Sequence, residues 1–231
     1  MKQPHIFRST YGGVFMALVL FSLFCANLSF IRVSITHSTS LLFLLWNLLL
    51  AWVPLIFAWL LYRKTLQSGL TWSKRNIIYF IFWLLFLPNA FYLTTDFVHL
   101  KGYFDDPQRI FDIVLLISYA INGIILGMVA LLLVHVSAVK RFKNNGHWLP
   151  VAVLLMSGFA IYLGRYLRWN SWDVFINPFG LLFDVSDRIV NPSDHLLTFS
   201  TTLLFFSFYG FLYLIVWRFY QLASTLQQES K

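Results

Sequence analysis

Six long apolar runs dominate this chain of 231 residues, and they constrain its fold more than any other feature. Each helical residue rises 1.5 Å and a bilayer core is about 30 Å thick, so a crossing needs about 20 mostly apolar residues. The runs fall at residues 11–31, 41–62, 77–93, 113–134, 149–163 and 196–217, the third and fifth being the shortest. Leu, Phe and Ile occupy every face of them. A membrane barrel would instead alternate apolar and polar residues over strands of about 10 residues. The expected architecture is therefore all-α: one integral-membrane domain over residues 1–231, a polytopic bundle of six transmembrane helices. Composition agrees. The chain is 59% hydrophobic and 11% charged, against about 45–50% and about 25% in soluble domains. That excludes a water-soluble enzyme, and the same apolar content excludes disorder. With 11 Gly and 1 Cys, collagen-like and disulfide-stapled folds are excluded as well.

The positions of the charges give a direction. With the N-terminus inside, the inner segments carry Lys2, Arg8, Arg63, Lys64, Lys74, Arg75, Lys140, Arg141, Lys143, Arg218 and Lys231. The outer segments carry Arg32, Lys101, Arg109, Arg165, Arg168 and Arg188. Eleven against six obeys the positive-inside rule, so both termini are expected in the cytoplasm. All eight Asp residues (96, 105, 106, 112, 173, 184, 187 and 194) fall outside and Glu229 inside, which makes the inner side +10 and the outer side −2. The net +8 thus points to membrane lipids with an anionic inner leaflet as partners, not to nucleic acid. The first run is too long for a signal peptide and lacks a small-residue cleavage site. Phe24 is too bulky for a lipoprotein box at Cys25, so that lone thiol is expected to be buried and unbridged.

Chemistry concentrates at the outer ends of the third to fifth runs. The third ends FLPNAFYLTTDFVHL, where Pro88 is expected to kink the helix and Asn89 to serve a freed carbonyl. Beyond it, Asp96 and His99 are three apart and share a face if the helix continues; they are candidate metal ligands, a proton relay or a hydrogen-bonded pair. The fourth run opens with Asp112 and holds Asn122, Gly123 and Gly127, a small-residue pattern for close helix packing. The fifth leads into GRYLRWNSWDVFINPFG. On a continuing helix Arg165, Trp169 and Asp173 form one stripe and Arg168 with Trp172 a second. Interfacial Trp anchors and snorkelling Arg explain such residues blandly. A pocket in which guanidinium groups grip phosphate or carboxylate explains them functionally. Residues 177–195 are too charged to cross and are expected to form an outer amphipathic or re-entrant segment. No internal repeat is visible. The membrane runs are nearly free of ionisable groups, which speaks against a proton-coupled transporter; His135 sits near an inner end.

The two motifs LPNAFYLTTDFVHL and GRYLRWNSWD, in that order, resemble a bacterial membrane-protein family, domain of unknown function 1361, from the second run to the last. The matching positions are Leu87, Pro88, Asn89, Tyr92, Asp96, His99, Leu100, Gly164, Arg165, Arg168, Trp169, Asn170, Ser171, Trp172 and Asp173. Phe91 departs from a second Pro often found there. The resemblance implies a multi-pass protein of the bacterial cytoplasmic membrane and brings no reaction or cofactor with it.

Three functions are compatible with these residues. The first is a protein whose outer collar of Asp96, His99, Asp112, Arg165, Arg168, Trp169, Trp172 and Asp173 binds an anionic ligand, a lipid headgroup or a partner. The second is an outward-facing metal-dependent hydrolase or transferase using Asp96, His99, Asp112 and Asp173. The third is a facilitator or an assembly subunit. No residue pattern decides whether the chain is an enzyme, and none calls for a cofactor. Plain ion pairing is the structural alternative. It gathers Asp96, Asp112, Asp173, Arg165 and Arg168 into one cluster.

Overall fold

The computed structural model describes residues 5–68, 73–100 and 107–229, with side chains for 12–65, 73–100 and 109–229. Of the charges counted above, Lys2, Lys101, Asp105, Asp106 and Lys231 lie outside the described residues, as does the side chain of Arg8. The described chain is helical, with no strand. Its elements are α1 (His5–Thr36), α2 (Phe43–Ser68), α3 (Lys74–Tyr92), α4 (Pro107–Phe142), α5 (Trp148–Tyr166), α6 (Asp173–Ile176), α7 (Pro178–Val190) and α8 (Leu196–Glu229). A tighter 3-10 turn, Leu93–His99, extends α3, and two others, Lys143–His147 and Pro192–His195, precede α5 and α8.

Among the described residues, five stretches are long and apolar enough to cross a membrane: Gly12–Thr36, Phe43–Thr65, Lys74–His99, Arg109–Tyr166 and Pro192–Glu229. The fourth and fifth apolar runs both lie within Arg109–Tyr166, whose 58 residues hold α4, a turn and α5. The chain reverses inside it. Gly146 lies so close to α4 that a Cβ there would sit 2.6 Å from the Val139 nitrogen, which requires a residue without one. Among the described residues, three helices end on a left-handed residue where glycine is usual: His37 (φ 50°) after α1, Lys143 (φ 51°) after α4 and Arg168 (φ 61°) after α5.

α4 is the axis of the bundle, packing on α1, α2, α3 and α8. Its small residues face α3: a Cβ at Gly123 would run into the Ala90 carbonyl oxygen, and one at Gly127 would sit 2.6 Å from the Phe91 ring. Gly158 plays the same part between α5 and α8, 2.6 Å from the Thr202 oxygen by the same measure. Some polar side chains inside the bundle bond across helices, because an unpaired donor among apolar neighbours is costly. The Asn122 amide donates to Ser22 Oγ (2.9 Å), which also accepts from Trp52 Nε1 (3.0 Å). Cys25 is buried and free beside them. Large apolar side chains such as Phe15, Leu20, Leu49, Ile81 and Leu204 point outward, the inverse of a water-soluble surface.

Consecutive long helices run in opposite directions, so like ends gather. The basic residues Arg63, Lys64, Lys74, Arg75, Lys140, Arg141, Lys143 and Arg218 lie toward one end. The turn after α3 and the C-terminus of α5 lie at the other, here the collar end. From there the chain does not continue α5 as a helix, which corrects the expected stripe from Arg165 to Asp173. It turns at Arg168 and runs back along α3: Gly164 lies against Tyr92, Ser171 bonds the Leu85 carbonyl, and Phe175 of α6 stacks on Phe82 (6.5 Å). The stretch of α3 from Phe82 to Tyr92, about 15 Å of helix, is covered in this way.

Candidate functional site

At the collar end the two sequence motifs enclose a cavity of about 340 Å³, within the size range of small-molecule sites. α2 supplies Phe43, Trp46, Asn47 and Leu50; α3 and its turn supply Leu85, Pro88, Asn89, Tyr92, Asp96 and His99. α5 adds Gly164 and Arg165, and the returning segment roofs the space with Trp169, Ser171, Trp172 and Val174.

The floor begins at Pro88. Proline has no N–H to donate and crowds the turn before it, so nearby carbonyls turn to side chains. Asn89 Nδ2 donates to the Phe86 carbonyl (3.2 Å) and to Ser171 Oγ (2.8 Å), while the Ser171 hydroxyl donates to the Leu85 carbonyl (2.9 Å). The first motif is thereby pinned to the second across 82 residues of sequence. Gly164 lets the Tyr92 ring approach to 3.1 Å of where its Cβ would be. Tyr92 in turn lies under the Arg165 guanidinium, 4.5 Å from ring centre to Cζ, a favourable cation–π distance.

Asp96 and Arg165 form the central pair, with 2.8 Å between Oδ1 and Nη2. The carboxylate side chain is 1% exposed and the guanidinium side chain 19%. Asp96 also accepts from Asn47 Nδ2 (3.1 Å), and Arg165 Nε and Nη2 both donate to Thr95 Oγ1. Both carboxylate oxygens are therefore occupied. On the guanidinium, Nη1 makes no hydrogen bond among the described residues, so a side chain that lines the cavity keeps two N–H groups unspent. His99 is exposed at the rim, edge-on to Phe43 (4.8 Å). Trp46 and Trp172 touch edge to face across the mouth (6.5 Å).

Five residues picked from the sequence, Asp96, His99, Arg165, Trp169 and Trp172, thus line one cavity with Pro88 and Asn89. Three others do not, so the expected single cluster of three Asp and two Arg does not form. Asp112 pairs with Arg32 (2.7 and 3.1 Å), tying α4 to α1. Asp173 accepts from the Asn170 backbone N–H (2.7 Å), closing the turn that carries the tryptophans. Arg168 is exposed; its left-handed backbone lets the Trp169 N–H bond back to the Leu163 carbonyl (3.1 Å) and aims Trp169 inward. Neither are Asp96 and His99 joined by a third ligand: among the described residues no three His, Cys, Asp or Glu are grouped to hold a metal ion.

Sequence reasoning missed the α2 contribution. Its signal was Asn47, a strongly polar side chain in an otherwise apolar run. It also missed the grip on α7, where Trp169 Nε1 donates to Asp184 Oδ2 (2.7 Å) and Arg188 donates back to Asp184 (3.3 Å). At the opposite end it missed a second polar cluster. His135 Nδ1 lies 2.7 Å from the Tyr213 hydroxyl, His135 Nε2 lies 3.0 Å from His147 Nδ1, and Trp217 covers the His135 ring at 4.1 Å.

A family model described as "Protein of unknown function (DUF1361)" matches residues 46–225, and the chain belongs to that family. No curated protein and no solved structure matches it.

Proposed function

We propose that this DUF1361 member is a membrane protein of six crossings that holds an oxyanion-bearing ligand, such as an anionic lipid headgroup, in the collar cavity. In this proposal α4 and α5 are separate crossings, the returning segment with α6 and α7 is re-entrant, and the collar faces outward, by the positive-inside rule. The bacterial cytoplasmic membrane is the proposed location, with both termini on its inner side.

One observation carries the functional reading. Arg165 lines the cavity and is locked by Asp96, Thr95 and Tyr92, yet its Nη1 is unused among the described residues. A guanidinium held rigid before a ligand arrives loses little freedom when it binds, and its fork matches phosphate and carboxylate. The Asp96 charge offsets that of Arg165, so the site selects by directed hydrogen bonds rather than by net charge. His99 and the indole N–H groups of Trp46 and Trp172 are further donors around the rim.

The test is Arg165→Lys. Lysine keeps a positive charge opposite Asp96 but lacks the second nitrogen of the fork. Anionic lipid retained through purification, measured by mass spectrometry, is expected to fall about tenfold, which corresponds to one directed hydrogen bond to a charged group. Retention equal to that of the unchanged protein would overturn the reading.

A further inference from the structure

We infer that the ligand of the collar cavity is a single amphiphile that enters sideways from the bilayer, its oxyanion at Arg165 and its hydrocarbon chain leaving along α2 and α3 below the Trp46–Trp172 pair. The inference rests on the oxyanion site proposed above and goes further by naming the class of molecule and its path.

The lining changes character along the bundle axis. At the collar end it is polar, with Asn47, Asp96, His99 and Arg165. Deeper it is apolar: Leu50 lies one turn below Trp46 on α2, and Leu85 of α3 lies eleven residues, about 18 Å, below Asp96 in the turn that extends it. The polar groups at intermediate depth, Asn89 and Ser171, are spent on each other and on the α3 carbonyls, so they offer a deep polar ligand little. Val174, on the returning segment, completes the apolar wall and is exposed. A free anion would use only the upper half of this space. A headgroup with a chain attached uses both halves.

The mouth also faces the right way. Trp46 is 55% exposed, on the outward surface of α2, and its edge contact with Trp172 is the link between α2 and the roof on that side. Below the pair, the surface continues into the outward-facing apolar residues of α2 and α6, among them Leu49, Phe175 and Ile176. A chain leaving the cavity there passes into hydrocarbon and not into water. Two indoles across such an opening are at home in an interface, since each has a large apolar body and one polar N–H.

Binding of three probes to the full chain in detergent tests this: dioleoyl phosphatidic acid, glycerol 3-phosphate and inorganic phosphate, followed by native mass spectrometry. The lipid is expected to bind at least tenfold more tightly than either soluble probe. Leu50→Trp and Val174→Trp fill the apolar half from opposite walls. Each is expected to weaken the lipid at least tenfold and to leave glycerol 3-phosphate unchanged. If glycerol 3-phosphate binds as tightly as the lipid, and Arg165→Lys weakens both, the oxyanion site stands and the amphiphile is overturned. If the lipid binds equally well with Leu50→Trp and with Val174→Trp, the proposed chain path is overturned. If Arg165→Lys binds every probe as the unchanged protein does, the oxyanion site falls and this inference falls with it.

Discussion

The two ends of the bundle each hold a polar cluster around a buried ionisable residue, Asp96 at one and His135 at the other, and they treat it in opposite ways. At the basic end His135, His147, Tyr213 and Trp217 close on one another, and both ring nitrogens of His135 are used. At the collar end the Asp96–Arg165 pair is braced just as firmly, but Arg165 also lines a cavity and keeps a donor unspent among the described residues. A buried polar group in a membrane helix always needs a partner, so burial alone does not mark a site. What separates the two ends is unspent bonding capacity next to space that a ligand can fill.

The contrast can be broken first at its strongest point. Arg165→Gln leaves the Asp96 carboxylate, 1% exposed, without its cation. A loss of about 3 kcal/mol is expected, read from thermal or denaturant unfolding in detergent. Asp96→Asn is expected to cost less, because Arg165 is the more exposed partner and still lies over Tyr92. Costs near zero for both would mean that the pair behaves as a surface ion pair, and the collar would lose its distinction.

Next in size is the other end. Tyr213→Phe removes the hydroxyl that meets His135 Nδ1. It is expected to cost about 1–2 kcal/mol, the usual penalty for one orphaned buried group, with retained lipid unchanged. A drop in retained lipid would show that the two ends are coupled.

Arg168→Gly sharpens the boundary of the collar. Glycine takes the left-handed backbone at φ 61° without the penalty a side chain incurs. A gain of up to about 1 kcal/mol is expected, with ligand retention intact. Lost retention would restore Arg168 to the site.

The smallest effect lies on α7, the helix held by Trp169. Hydrogen bonds from Asn191 and from His195 hold the Asp187 carboxyl below the usual carboxylate range. A lowered native value contributes stability that is present above the unfolded value of about 3.9 and is lost as pH falls through the native one. Amide protection at the C-terminal end of α7 is therefore expected to hold from neutral pH down to about pH 4 and to fall below it. Asp187→Asn should abolish that acid step in hydrogen exchange, and an unchanged step would assign it elsewhere.

Much of the architecture was legible because bilayer thickness sets helix length, so the apolar runs map directly onto helices. The importance of Pro88, Asn89, Asp96 and Arg165 was legible too, since polar and helix-breaking residues at the edge of apolar runs are costly unless used. The partners were not. Periodicity states which residues share a face of one helix, but not which helix that face meets. Hence Asp112 was grouped with Arg165 when Arg32 holds it, and Asn47 of α2 went unnoticed. The end of α5 was illegible for a different reason. Its left-handed stop falls on Arg168, which carries none of the signal a glycine would give.

By itself, then, the chain determined that it is helical, apolar enough to cross a membrane several times, and charged asymmetrically, because these properties depend on composition and spacing along one dimension. Only the tertiary structure decided that two motifs some 70 residues apart close on a shared cavity. It alone separated Asp96 and Arg165 from Asp112, Arg168 and Asp173, and left Arg165 Nη1 without a partner among the described residues. Those are outcomes of packing between helices, where a contact depends on side chains from two places in the chain and on the room left between them.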